Sequence, residues 1–226
     1  CGGDSSRRAQ PVPFGYFQTD TAPLRVFCVI LELMHLFILM ENRDVTFITG
    51  NQNKADYLAK YLGFPVKHLK LDLDEIQSLD LKEIVEHKVR QAYEKIKSPV
   101  IVEDVSLEFV AFGRLPGPFI RFFVEELPFE TICSMVHGKT RNAVARCVFG
   151  YYDGNILKLF ERSMDGEISQ IPAGERGYGW DKIFIPKGYT VTRAQLSEED
   201  DQKTYVQIKP FAELKDFLLG CEGVKR

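Results

Sequence analysis

Three short stretches carry side chains suited to chemistry on a phosphate chain: Thr49-Gly50-Asn51 with Lys54 three residues on, the acidic pair Glu103-Asp104, and Glu75 in LDLDEIQ. The first lies in VTFITGNQNKADYLAKYLG, where an apolar run switches within a few residues to helical periodicity. A glycine at such a turn lets backbone approach a ligand closely, and the first N–H groups of a helix lack partners inside it, so they suit an anion. Lys54 adds a cation just inside that helix. The acidic pair ends the apolar run PVIVED. Successive strand residues point to opposite faces, so one carboxylate enters a cleft and the other meets neighbouring structure. In open α/β sheets ligands bind beyond the carboxyl ends of strands, where the pair and the turn both fall. A hard cation such as Mg²⁺ takes one or two carboxylates plus phosphate oxygens and water, and Glu75 supplies a second acid near another strand end. A metal on carboxylates, lysines on phosphates and a carboxylate that orients water together specify in-line hydrolysis of a phosphoanhydride.

Each of these residues also has an ordinary role. Asn51 serves as a plain helix cap, Asp104 as a cap for the segment after it, Glu75 as a surface acid and Lys88 as the polar face of its helix. Tyr178 and Trp180 read as core aromatics, although the glycines around them in GERGYGWD favour a loop whose rings face a ligand. The Walker pattern G-x-x-x-x-G-K-[ST] and the nucleophile elbow G-x-S-x-G are both missing, which excludes an ordinary P-loop NTPase and a Ser/His/Asp hydrolase of that type.

The elements that must hold these groups follow from periodicity. KADYLAKYLG places Ala55, Leu58, Ala59 and Leu62 at helical spacing and stops at Gly63; FPVKHLKLDL alternates as a strand; DLKEIVEHKVRQAYEKIK puts Ile84, Val85, Val89 and Ala92 on one helical face. After the PVIVED strand, VSLEFVAF reads as a helix, Pro116-Gly117-Pro118 as a turn, and FIRFFVEEL as a helix with Ile120, Phe123, Val124 and Leu127 inward. NAVARCVFGYYDGNILKLFERSMDGEI reads as two strands joined at Asp153-Gly154-Asn155, with another turn at Asp165-Gly166; PFAELKDFLLG closes the chain as a helix. Strands alternating with helices, then an antiparallel segment, imply an α/β fold with a mixed sheet.

Composition sets bounds. The 226 residues are 45% hydrophobic, with 29 basic against 32 acidic side chains, so the chain is globular and lacks the basic excess that suits nucleic acid. Five scattered cysteines without a C-x-x-C pair suggest reduced thiols in a cytosolic protein. RVFCVILELMHLFILM, residues 25–40, is short of the ~20 apolar residues a membrane span needs and contains Glu32 and His35. Residues 1–39 read as an extension outside the catalytic fold and residues 40–226 as one domain, with no membrane partner expected.

TGNQNK at 49–54, VIVEDVSLEFVAFGRLPGPFIRFF at 100–123 and GYGWDKIFIP at 177–186, in that order, resemble the signature set of the inosine triphosphatase-like family, house-cleaning pyrophosphatases of aberrant purine nucleotides. The resemblance spans about residues 44–219. It implies a two-lobed mixed-sheet α/β fold with a central cleft, Mg²⁺ dependence, a homodimer, and cleavage of a nucleoside triphosphate to the monophosphate and pyrophosphate. By the same resemblance Thr49, Gly50, Asn51, Lys54, Lys88 and Arg121 hold phosphates, and Tyr178, Gly179, Trp180 and Asp181 line the base pocket. Glu75, Asp104 and, beside it, Glu103 hold the metal, and Asp104 activates water. One departure is plain. The family ordinarily shows a lysine followed shortly by Ser-His-Arg, a triplet that helps recognise the base, whereas here Asp201 falls near the lysine and Tyr205, Val206 and Gln207 take the triplet's place. This leaves base preference open, and keeps a nucleotide-binding homologue without turnover as the alternative.

Overall fold

The computed structural model describes residues 45–177 and 179–220. The expectations for residues 1–39 and for Tyr178 fall outside them. Thr46–Ile48 forms β1, and helix α1 (Gln52–Leu62) follows, started by the side chain of Asn51 and stopped at Gly63, whose φ of 79° suits a residue without a Cβ. Ala55, Leu58 and Leu62 are buried, as the helical spacing requires. β2 is Lys67–Leu69. Helix α2 (Leu81–Ile96) is capped by Asp80 and buries Leu81, Ile84, Val85, Val89 and Ala92.

β3 runs from Val100 to Phe109, and this corrects the expected helix at VSLEF. Val105, Leu107 and Phe109 alternate with Ser106 and Glu108, a period of two that extends the antiparallel pairing with β5 (Asn142–Tyr152) to Phe109↔Ala143. Glu103 and Asp104 therefore sit in mid-strand rather than at its end. β4 (Pro116–Gly117) pairs back on β3; α3 (Ile120–Glu126) and α4 (Phe129–Ser134) follow. β6 (Leu157–Ile168) continues straight through Asp165-Gly166, so the second expected turn is absent. The glycine serves a close approach instead: a Cβ at Gly166 would lie 2.4 Å from the carbonyl oxygen of Ile185 in β7 (Phe184–Pro186). Helices α5 (Glu198–Ile208) and α6 (Phe211–Leu218) end the chain, α5 carrying four acids in its first turn where the helix dipole favours them.

The sheet has seven strands among the described residues, in order β2-β1-β3-β5-β6-β7 with β4 beside β3. β2, β1 and β3 are parallel; β5, β6 and β7 extend the sheet antiparallel. The mixed α/β architecture read from the sequence is thus the one observed. Its larger core contains Phe47, Leu58, Ile101, Phe149 and Leu214, and a smaller cluster packs α2 on β1, β3 and β5 through Val85, Val89 and Val148. No helix among the described residues is long and apolar enough to cross a membrane.

Candidate active site

The turn after β1 is tied by its own side chains. Thr49 N–H donates to the Leu69 carbonyl (3.0 Å), Asn51 N–H to Thr49 Oγ1 (3.1 Å), and Lys54 N–H to Asn51 Oδ1 (3.3 Å). Asn51 is therefore a helix cap, and that role holds Thr49, Gly50 and Lys54 at the mouth of a cavity of about 1320 Å³. Glu75, Lys88, Glu103, Asp104, Trp180 and Asp181 line the same cavity.

The alternation of β3 splits the acidic pair. Asp104 accepts from Val105 N–H through Oδ1 (2.8 Å) and from Lys88 Nζ through Oδ2 (3.0 Å), and Lys88 Nζ donates also to Glu75 Oε1 (2.8 Å). One ammonium thus bridges two carboxylates from separate segments. Burial works against the charge on Lys88, yet Asp104 and Glu75 outweigh it and hold the amine above its usual value. Glu103 points the other way, its side chain 3% exposed, and pairs with Lys54 (3.3 Å) and with Lys209, which follows α5. Burial alone would raise this carboxyl; Lys209 first and Lys54 second hold it down at about 2.

Arg121 stands apart from that cluster. It lies on the cavity rim, 69% exposed, and its Nε donates to Glu125 (2.7 Å) one turn along α3. Gly179, Trp180 and Asp181 belong to a 3₁₀ turn, Gly179–Lys182; Trp180 is half-buried edge-on to Phe184 (5.4 Å), and Asp181 is buried. Among the described residues no group of three or more His, Cys, Asp or Glu side chains is placed to hold a metal ion.

A profile of the Ham1 family matches residues 45–217, and inosine triphosphate pyrophosphatase 2 of Trypanosoma cruzi is 39% identical over 179 residues, 77% of this chain and 91% of that protein. The chain belongs to the Ham1 family. The inosine triphosphate pyrophosphatase of Schizosaccharomyces pombe is 35% identical over 78% of this chain and 95% of its own length. The Ham1 protein of Staphylococcus aureus superimposes with a TM-score of 0.65 at 25% identity, over 80% of this chain and all of that one. A Coxiella burnetii HAM1 protein, 18% identical, shares the fold with a TM-score of 0.68 over 78% of this chain and 98% of its own.

At the positions where the resemblance leads us to expect Ser-His-Arg, the residues present part company. Tyr205 is buried in an aromatic cluster with Tyr57 (4.9 Å) and Phe211 (5.8 Å), whereas Gln207 is exposed. Two cations that the sequence reading assigned no role stand beside Tyr205: Lys209, 5.3 Å from its ring centre, and Arg193, 5.6 Å from it. Arg193 Nη1 donates to Asp181 Oδ1 (3.1 Å) and Nη2 to Asp201 Oδ1 (2.6 Å). Burial lowers the proton affinity of this guanidinium, but Asp181 and Asp201 outweigh the loss. The only sequence signal for Arg193 is that it is the one charged residue in TVTRAQ, the stretch before LSEEDD.

Gly177 closes over Asp181. Its φ is +71°, and a Cβ there would lie 2.3 Å from Asp181 Oδ2. Gly177→Ala is expected to lower stability by about 1–3 kcal/mol, from left-handed strain and displacement of that carboxylate. Denaturant midpoints compared with the parent chain check it; an unchanged midpoint would show that the loop yields without cost.

Proposed function

We propose that this chain hydrolyses nucleoside triphosphates to the monophosphate and pyrophosphate, using Mg²⁺. The observation that carries this reading is the single cavity in which the Thr49–Lys54 turn, the Glu75–Lys88–Asp104 bridge and the Trp180–Asp181 turn meet. Relatives named as inosine triphosphate pyrophosphatases at 35–39% identity support it.

The donor set fits a hard cation. Glu75 and Asp104 already share one positive charge, that of Lys88, and two carboxylates completed by phosphate oxygens and water suit Mg²⁺. When bound there, Mg²⁺ supplies charge neutralisation on the phosphates. Lys88, which lines the same cavity, would supply a cation to the phosphate chain. Lys54, at the start of α1, holds a second stretch of that chain with the turn amides. Asp104 orients water for attack on phosphorus and takes its proton. Glu103 sits with Lys54 and Lys209, so in place of the metal contact expected from its sequence neighbour it fixes the Lys54 ammonium. Trp180 offers a ring face to the base.

The test is pyrophosphate release by the full chain, with and without Mg²⁺, from inosine, xanthosine and the ordinary ribo- and deoxynucleoside triphosphates. Metal-dependent release from at least one purine triphosphate is the expected result. Failure of every substrate to yield pyrophosphate would overturn hydrolysis and leave a nucleotide-binding protein.

A further inference from the structure

A guanidinium lines the same cavity as Trp180. Arg193 forms part of the cavity wall, yet its side chain is only 6% exposed. Two carboxylates from different elements fix the fork, Asp181 through Nη1 and Asp201 through Nη2, and the Tyr205 ring packs on it. Its capping box, in which Thr192 and Gln195 bond reciprocally, fixes the backbone as well, and Thr192 Oγ1 ties that turn to the Ala173 carbonyl (2.8 Å). Each Nη keeps a second N–H beyond these bonds, and Nε is buried and has no hydrogen-bond partner among the described residues. Buried donors left without an acceptor are rare, and one held rigidly in a cavity wall suits an acceptor supplied by a ligand.

Resting on the nucleotide reading of this cavity, we propose that Arg193 determines base specificity: its guanidinium donates to a ring carbonyl oxygen of a purine. Asp181 and Asp201 are positioning residues that hold the fork for this contact. A carbonyl at the purine 6-position satisfies the donor. An amino group in the same place sets N–H against N–H, and a bare C–H leaves the donor unpaired; both forfeit a charge-assisted bond. The chain thereby recovers, from the turn before α5, the polar readout that Tyr205, Val206 and Gln207 do not offer.

The experiment compares inosine triphosphate with purine riboside triphosphate, which lacks only the carbonyl, and with adenosine triphosphate. Both kcat/KM for pyrophosphate release and equilibrium binding of the corresponding monophosphates are measured on the full chain. Wild type is expected to favour inosine over purine riboside by about 10- to 100-fold. Arg193→Lys keeps a positive charge for the two aspartates but lacks the fork, and should bring that ratio close to one. A merely structural role would weaken both ligands alike, so an unchanged ratio in Arg193→Lys overturns the proposal, as does wild type without preference. Should Arg193→Lys fail to fold, Asp201→Asn loosens one side of the fork with Arg193 in place; a several-fold smaller ratio supports the assignment and an unaltered one overturns it. Because the binding ratio does not need turnover, a chain that releases no pyrophosphate removes the hydrolase reading and still decides the role of Arg193.

Discussion

Asp104→Asn is expected to lower the rate of pyrophosphate release by about 10²–10⁴-fold, the usual contribution of a positioned general base. The substitution is nearly isosteric, and an amide oxygen can still accept from Val105 N–H at the position Oδ1 now occupies. What it removes is the negative charge facing Lys88 and the capacity to take a proton from water. Lys88 keeps Glu75 as a partner, and the Asp104 side chain is 23% exposed, so the cost to the fold stays near 1 kcal/mol. For a chain of this size that is a melting shift of roughly 2–4 °C. The expected signature is a folded protein that still binds nucleotide and has lost turnover. Turnover within a few-fold of the parent would remove Asp104 from the chemistry.

The groups in that prediction differ in how readily the sequence reveals them. Lys54 and Lys88 are legible because local periodicity alone fixes the helices that carry them: the buried faces of α1 and α2 leave each lysine free to face the cavity. Glu103 and Asp104 are legible as a pair with opposed directions, since period-two alternation holds in any strand. Which direction leads to the cavity chemistry is a tertiary fact. Asp104 meets Lys88, 16 residues away, whereas Glu103 meets Lys209, 106 residues away. No local pattern encodes the second contact. Arg193 is illegible for the same reason: its partners Asp181 and Asp201 come from another turn and from α5. At fold level the second half of β3 was misread, because its polar residues are covered. Ser106 and Glu108 are buried along with their apolar neighbours, the carboxylate of Glu108 being satisfied by Arg146 (2.9 Å), so polarity in VSLEF marks pairing across β5 rather than an exposed helix face.

Glu103→Gln should produce the largest loss of stability of any single change in the site. Lys54 and Lys209 share this carboxylate in a nearly closed environment, with side-chain exposures of 20% and 5% against 3% for the acid. A neutral amide removes the negative charge that Lys54 and Lys209 share. Breaking a buried pair in this way costs about 3–5 kcal/mol. Proton linkage gives a similar figure: a carboxyl held from 4.5 down to about 2 corresponds to about 3 kcal/mol. Because the folded-state value is the depressed one, this stabilisation is complete above pH 4.5 and disappears as pH falls through about 2. Denaturant midpoints followed from pH 7 to 2 should therefore drop steeply below pH 4.5 in the parent chain, while Glu103→Gln starts lower and loses this part of the slope. An acid limb of equal size in both proteins would assign it to other carboxylates. The same variant separates two roles for the acid. If Glu103 positions Lys54, the Mg²⁺ concentration for half-maximal activity stays put and the nucleotide KM rises; a metal ligand would move the Mg²⁺ requirement instead.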